Sequence, residues 1–451
     1  GNHQFAKEIF LKMDDFKSVV EIHVELQQWE DALAILRSHP EHREGVYLAY
    51  GNWLAVNDRF DEAQKAFDDA GRPDLSSKML DQLTHNAVIE CRFNDAGYYF
   101  WLLAQEHLRL IGTCPSVAQM SLKQKKHWAK FQELQQRAEI YFSYHHVFRY
   151  TDEPFTSLVP DALFNICRFL MASIKSKEAP LGVSKIYTIF CLAKQARHLG
   201  SFKLARYCLD QLRKLNIPAS WREQVDFAAI TIRSLPMKDK EELVPCCYRC
   251  GHTNPLLASH CVACGHEFVR SFCSFDVLPL VEFEVDASID EEEAEKLIAE
   301  TPSETGGGGG GAGRRGRGGG GRDDWQEQDM GYAQTMGMDN QDGSAGGGDL
   351  FSSRLMAGDG GEVTGPVMCD RRVLQSLEPR EVFTLHWNKG RMGMRPRRFK
   401  SVVPEIPIVV CTNCKHFFHE EDFEFASLQK KECPFCKVRP TTAIHSSETF
   451  L

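Results

Sequence analysis

The sequence predicts a mainly α protein: a helical solenoid followed by two small, metal-knotted β/ribbon modules. Three observations predict it. An aromatic-x-x-Ala signature recurs through the first half at about the period of a helix pair. Four C-x-x-C pairs stand in the second half, grouped two and two. A glycine-rich tract without apolar patterning separates the two groups.

The signature occurs as WEDA (29–32), FDEA (60–63), FNDA (93–96) and FKLA (202–205). Ala32, Ala63 and Ala96 are 31 and 33 residues apart, close to the roughly 34 residues of a tetratricopeptide (TPR) repeat. The period has a physical cause. A short helix pair cannot bury both its faces, and the next pair closes its core. The small Ala lets helices approach, and the aromatic fills the space beside it. Phe16, Val19, Val20, His23 and Val24 fall on one helical face, and Trp29, Ala32, Leu33 and Leu36 on the next. Asn57 and Asp58 favour a turn or helix start. Ala96 and Ala205 are 109 residues apart, which leaves room for three degenerate repeats; a non-repeating helical domain is the other reading. His23 and His107 read as packed or surface histidines. This half has no nucleophile–base constellation and no phosphate-binding G-x-x-x-x-G-K-[ST] loop, so it is a surface for partners.

Composition narrows the class. The chain has 451 residues, 43% hydrophobic and 25% charged, with a net charge of −9. It can bury a sizeable core, and it is not basic enough overall to be an obvious nucleic-acid or membrane binder. No apolar run approaches the ~20 residues of a membrane helix. The opening, GNHQFAKEIF, enters a helical pattern at once, so we expect the C-terminal part of a longer protein. Of the sixteen cysteines, eight lie in C-x-x-C pairs, while Cys91, Cys167 and Cys208 sit singly in helical patterns. A secreted disulfide scaffold would be short and cysteine-dense throughout. Reduced thiols and metal sites fit better.

The first group is Cys247-x2-Cys250 and Cys261-x2-Cys264. Two short turns that each deliver two thiolates to one point make a tetrahedral S4 site, which suits structural Zn2+. Gly251 and Gly265 follow the second thiol of each pair and permit the positive φ such a knuckle uses. Cys246 and Cys273 read as free thiols, with Cys246 an alternative to Cys247. The spacing, with Asn254 between the pairs, also resembles the Ran-binding-protein-2 type of finger, whose members bind single-stranded RNA or ubiquitin; that family's Trp before the first Cys is Pro245 here. Residues 277–285 read as a strand, and an acidic helix starts between Asp290 and Glu295. Residues 302–349 read as a flexible linker, too poor in apolar residues to offset ordering entropy. Its Arg314, Arg315, Arg317 and Arg322 are the residues that would touch RNA.

The second group is Cys411-x2-Cys414 and Cys433-x2-Cys436, a second candidate Zn2+ site. Residues 406–411 form an apolar strand into it, and 381–387 alternate Val, Thr, His against Phe, Leu, Trp. CPFC resembles the last ligand pair of a RING ubiquitin ligase, but a RING needs eight ligands, and only His416 and His419 could be added. Residues 390–400, GRMGMRPRRFK, form a basic patch, read as a solvated loop or a contact for an acidic partner or membrane. The parts in order are helical repeats (1–238), a first zinc ribbon (239–285), an acidic and Gly-rich flexible linker (286–350) and a C-terminal β module with the second zinc site (351–451).

That order, with QQWEDALAI, VNDRFDEAQKAF, PCCYRCGHTNPLLASHCVACGHEFVRSFCSFDVLPLVEF and CTNCKHFFHEEDFEFASLQKKECPFC, resembles the C-terminal half of the WD-repeat/TPR subunits of intraflagellar transport complex A. The resemblance implies β-propellers before residue 1 and a non-catalytic scaffold that docks on the complex's other subunits. It implies retrograde ciliary transport, entry of membrane proteins into cilia with ciliary membrane cargo or its adaptors as partners, and a location in the cilium, at its base and in the cytoplasm. It places two structural Zn2+ ions on the eight cysteines just named, expects no nucleic acid and no transmembrane segment, and marks the Gly-rich tract as a lineage-specific insertion. The rival readings are an RNA-binding protein, using the first finger and the Arg-Gly tract, and a RING-like ubiquitin ligase.

Overall fold

The computed structural model describes residues 3–57, 59–111, 120–153, 158–175, 179–299, 350–356, 366–387, 396–439 and 443–445. Asp58, the arginines at 314–322 and the first part of the basic patch lie outside them. The chain divides into two compact units. The larger takes in residues up to Phe283 together with those from Arg380 onward; the smaller is built from Glu284–Gly361 and Val367–Pro379.

Twelve helices open the larger unit: α1 (His3–Lys12), α2 (Phe16–Glu25), α3 (Trp29–Leu36), α4 (Arg43–Val56), α5 (Phe60–Asp69), α6 (Pro73–Ile89), α7 (Phe93–Ile111), α8 (Leu122–Asp152), α9 (Pro160–Lys175), α10 (Lys185–Leu199), α11 (Phe202–Leu212) and α12 (Ala219–Thr231). The repeated signature has one structural meaning. Trp29, Phe60, Phe93 and Phe202 are each the first residue of a helix, and Ala32, Ala63, Ala96 and Ala205 are all fully buried one turn later. The turn before Trp29, Phe93 and Phe202 is also the same. Gln27, Cys91 and Gly200 have positive φ. The N–H after each reaches back five residues: Gln28 to His23 O, Arg92 to Ala87 O and Ser201 to Ala196 O, all at 2.8 Å. This Schellman closure satisfies the outgoing helix's last carbonyls and aims the chain into the next helix.

Two further copies carry no such signature. Asp14 has positive φ and the Asp15 N–H bonds Phe10 O before Phe16 starts α2; Gly71 and Arg72 do the same before Pro73 starts α6. Pro fits that first position because its missing N–H would be unpaired there anyway. Between Ala96 and Ala205 the three-repeat expectation gives way to three helices, α8 to α10, with α8 alone 31 residues long. Helices α7 and α8 lie very close: a Cβ on Gly97 would stand 3.0 Å from the Phe142 N and 3.1 Å from the Ala138 O. A capping box of Ser121 and Gln124 starts α8.

The remaining elements of the larger unit are strand β1 (Leu280–Val285, of which the first four residues belong here) and, after the smaller unit, β3 (Val382–Leu385), β4 (Arg397–Ser401), β5 (Ile408–Cys411), β6 (Phe417–His419), helix α16 (Glu420–Lys430) and β7 (Ala443–His445). The intervening elements, α13 (Glu291–Ala299), α14 (Leu350–Met356), β2 (Val367–Cys369) and α15 (Arg371–Ser376), form the smaller unit. There Ala294, Leu297 and Ile298 are buried, and Arg371 pairs with Glu293 at 2.6 Å. The acidic helix expected from Asp290 is α13.

In the larger unit β4 pairs antiparallel with β1 (Leu280 opposite Ser401) and with β3 (Phe383 opposite Phe399); β5 pairs antiparallel with β6 and β7. On β3, Phe383 and Leu385 turn to the core, and Val382 is buried too. The four segments read from the sequence do not coincide with these units. The chain from residue 380 on joins the helical unit through Phe418, Phe423 and Phe435, which are buried in the helical core, while Phe383, Phe399 and Phe417 fill a small core of their own with Leu278 and Leu280. The described part of the basic patch is also not a solvated loop. Arg397 is held by both Glu282 oxygens at 2.7 and 2.8 Å, while Arg398 and Lys400 are buried on β4, with Glu381 3.7 Å from Lys400.

Candidate zinc centres seated on the helices

Four knuckles of one geometry build two sulfur clusters. In the first, the Gly251 N–H bonds Cys247 O at 2.8 Å and the Cys247 N–H bonds His252 O at 3.0 Å. The second repeats this with Gly265, Cys261 and His266 at 2.9 and 2.8 Å. Both glycines have positive φ, as their place after the thiol pair predicts. The C-terminal knuckles match, but Lys415 and Lys437 adopt the positive φ. Each turn brings two sulfurs together, and backbone N–H groups face the sulfurs of Cys247, Cys261 and Cys411, where their dipoles favour thiolate.

The clusters unite the residues that the sequence pairs. Sγ atoms of Cys247, Cys250, Cys261 and Cys264 all lie within 4.8 Å of one another, as do those of Cys411, Cys414, Cys433 and Cys436. The Cys247–Cys264 and Cys250–Cys261 separations are 3.6 and 3.5 Å; Cys411–Cys436 and Cys414–Cys433 are 3.7 and 3.9 Å. A disulfide would be about 2.05 Å. A tetrahedron with Zn–S bonds of about 2.3 Å has edges of about 3.8 Å. The donor set therefore fits a tetrathiolate metal, and the tetrahedral S4 geometry selects zinc or iron–sulfur chemistry over harder cations. Burial pushes the Cys261 thiol up, but the Cys264 and Ala263 N–H groups and neighbouring thiols outweigh it and bring it down to about 6. The Cys411 thiol is likewise lowered, chiefly by Cys414, Cys433 and Cys436 around it. Zinc gathers its ligands as thiolates.

The other candidates lie elsewhere. Cys246 is exposed beside the Gly251 carbonyl at 3.4 Å, and Cys273 stands apart. His416 turns its Nε2 toward Glu139 of α8 at 3.1 Å, and His419 is the residue just before α16. Neither joins a sulfur cluster, and among the described residues no second ligand set accompanies the C-terminal four. Asn254 is buried: its Nδ2 donates to His252 O at 2.7 Å and its Oδ1 accepts from the Val262 N–H at 2.8 Å. It ties the two first knuckles together and presents no amide to a ligand.

Sequence reasoning missed a fifth knuckle. The Ser271 N–H bonds Asp276 O, the Phe275 N–H bonds Ser271 O, and Phe275 has positive φ. Ser271 and Ser274 occupy the thiol positions, so this turn has the form of a metal knuckle without its ligands. It clasps the second module: Phe272 N–H to Phe417 O at 2.8 Å, and His419 N–H to Ser271 Oγ at 3.2 Å. The signal was present as a third short turn, SFCSF, which starts 10 residues after CVACG starts.

Also missed was the seat of the second cluster. Phe435, inside CPFC, is buried against Phe142 (5.5 Å between centroids), Trp101 (5.6 Å), Phe272 (5.0 Å) and His416 (4.5 Å). Polar contacts frame this plug. Asn413 meets Gln105 of α7 at 3.3 Å, and Lys437 meets Asp95 at 3.1 Å while lying 4.4 Å above the Tyr98 ring. The first ribbon is anchored by α9, where the Arg168 Nε donates to Leu256 O and Asn165 to Asp276. Burial lowers Arg168 to about 9.

A stack of helices joined by Schellman turns, with one tetrathiol knot pressed into its core and another in a small cluster of its own, defines a helical-repeat scaffold of the TPR class braced by cysteine modules. Residues 1–187 match the family model described as "IFT122, TPR domain", and residues 240–281 match "IFT122, zinc ribbon domain". Curated proteins called intraflagellar transport protein 122 homolog are similar over nearly the whole chain. The Mus musculus protein is 40% identical over 439 residues (96% of this chain, 35% of its own), that of Xenopus tropicalis 41% over 440 (97% and 35%), and that of Homo sapiens 40% over 437 (96% and 33%). The chain belongs to the intraflagellar transport protein 122 family. It spans about a third of the length of these curated relatives.

Proposed function

We propose that this chain is the C-terminal, helical-repeat and zinc-binding portion of a scaffold subunit of the intraflagellar transport A complex, with no catalytic step of its own. The observation that carries the reading is identity of 40% to 41% with transport proteins of that name across both the repeats and the cysteine modules. In this reading Cys247, Cys250, Cys261 and Cys264 hold one Zn2+, and Cys411, Cys414, Cys433 and Cys436 hold a second. Four thiolates leave no coordination position for water, so each ion would supply folding energy rather than hydrolytic chemistry. The helices offer an extended surface to the complex's other subunits. Its work would be retrograde transport and entry of membrane proteins into cilia, with cargo or its adaptors as further partners, in the cilium, at its base and in the cytoplasm. Among the described residues no helix is long and apolar enough to cross a membrane, so membrane cargo would be reached through protein contacts.

The test is affinity purification of the full-length protein from ciliated cells with identification of the copurifying chains, and metal analysis of this chain alone. Copurification of the other complex A subunits and two zinc ions per chain are expected. A purified protein without those subunits would sink the scaffold reading; one zinc or none would sink the ligand assignment.

A further inference from the structure

Helices α10, α11 and α12 enclose a groove of about 430 Å³ on the outside of the helical stack. Its floor is apolar: Phe190, Leu209 and Val225 are buried, and Ala228 lies at the mouth. Its rim carries the positive charges of Lys194 and Arg197. Lys194, Arg197 and His198, at i, i+3 and i+4 on α10, line one edge, with uncharged Gln224 opposite. Among the described residues none of the three enters an ion pair, and Lys194 is steered over the rings of Tyr150 (5.3 Å) and Phe190 (5.5 Å). The nearby acid Asp226 points elsewhere, to Arg213 at 3.6 Å.

The apolar surface continues past the groove. Phe227 and Ile230 on α12 are 63% and 69% exposed. Phe227 is one i, i+3 step from Gln224, so this stripe runs on from the mouth. A last helix in a stack normally turns a polar face outward, because no neighbour follows to cover it. Here α12 closes the helical series and keeps two large apolar side chains in water.

We propose that this groove and the Phe227–Ile230 stripe form a docking site for an acidic amphipathic helix of a partner protein. The stripe extends the apolar surface beyond what a small anion covers, and helix-in-groove recognition uses apolar anchors at i, i+3, i+4 and i+7. The charges of Lys194 and Arg197, free of ion pairs, select acidic flanks, which would gain both attraction and faster association. The chain's own acidic helix, α13, is committed elsewhere: its apolar residues are buried within the smaller unit. The inference concerns the partner's chemistry, and it stands whether or not the transport assignment does.

The test uses the zinc-loaded chain and a labelled, stapled helical peptide of about 18 residues, with Leu at i, i+3, i+4 and i+7 and Glu on both flanks. A twin carries Lys for every Glu. Fluorescence anisotropy should show the acidic peptide binding about tenfold or more tighter than its twin, with the gap narrowing in salt. Lys194→Glu with Arg197→Glu should reverse the preference, and Ala228→Trp, which fills the mouth, should abolish binding by both peptides. Far-UV circular dichroism confirms that the variants are folded. Equal binding of the twins, no binding, or a preference unchanged by the charge reversal overturns the proposal. A photo-crosslinker replacing Phe227 in the full-length protein in ciliated cells gives a second arm. Crosslinking to an acidic amphipathic segment supports the site, while capture of a second copy of this chain, or of a segment without acidic residues, overturns it.

Discussion

Replacing Phe435 with Ala tests whether the second sulfur cluster is part of the helical core or an appendage to it. Phe435 is 2% exposed, and its ring meets Trp101 of α7, Phe142 of α8, Phe272 of the first ribbon and His416 of its own module. Truncating a buried Phe costs about 3–5 kcal/mol, the lost transfer energy plus the cavity left behind. Two of the four partners are on helices, so much of that loss belongs to the helical unit. Against a typical total stability of about 5–15 kcal/mol, such a loss is large. The assay is urea unfolding followed at 222 nm, a wavelength that reports helix, with zinc content measured alongside. We expect the helical transition to move to lower urea with both zinc ions still bound, and Phe435→Leu to recover more than half of the loss. If the helical midpoint of Phe435→Ala matches the unaltered protein while zinc content holds, the cluster is an appendage and the reasoning fails.

Four other outcomes follow from the same geometry. Cys247→Ser with Cys250→Ser should lower zinc content from two ions to one and open the 246–267 region to hydrogen exchange, while α2 to α6 keep their protection. Gly97→Val should cost about 1–3 kcal/mol by overpacking, since even a Cβ there meets the backbone of α8; thermal unfolding would show it. His146 should make the protein acid-sensitive. Burial holds its pKa down to about 3, with His145 and Arg149 adding repulsion, so between about pH 6.5 and 3 the unfolded chain binds the extra proton and stability falls as pH falls. The share lost between pH 7 and 5 should be about 1–2 kcal/mol, and His146→Gln should remove it in denaturation curves at the two pH values. Deleting residues 302–349 should leave the helical signal and zinc content unchanged, because loop length is cheap in entropy; loss of either would show that the tract contributes to the fold.

The helical stack was legible where the turn leaves a side-chain trace. An aromatic that opens a helix and an Ala buried a turn later are both chemically distinctive, so WEDA, FDEA, FNDA and FKLA stand out. At Phe16 and Pro73 the same turn is made with Val19 and Ser76 in the Ala place, and only the backbone declares it. The sulfur clusters were legible because two thiols on one knuckle can do little else together. Their seat was not. Asn413 and Gln105 are 308 residues apart, and no local period encodes such a pair. The basic stretch was misread for a similar reason: the carboxylates that satisfy Arg397 and Lys400 come from Glu282 on β1 and from Glu381, just before β3.

The plug of Phe435 into the helices also sets an order of events during synthesis. Trp101 and Phe142 leave the ribosome nearly 300 residues before the side chain that covers them, 435 − 142 = 293 in the nearer case. At about 5–20 residues per second that interval is about 15–60 s. Throughout it, α7 and α8 carry a bare aromatic socket on a nascent chain. The protein therefore has a period of vulnerability written into its topology, in which holdase chaperones have a target. Emergence of Phe435 from the ribosome decides when it ends.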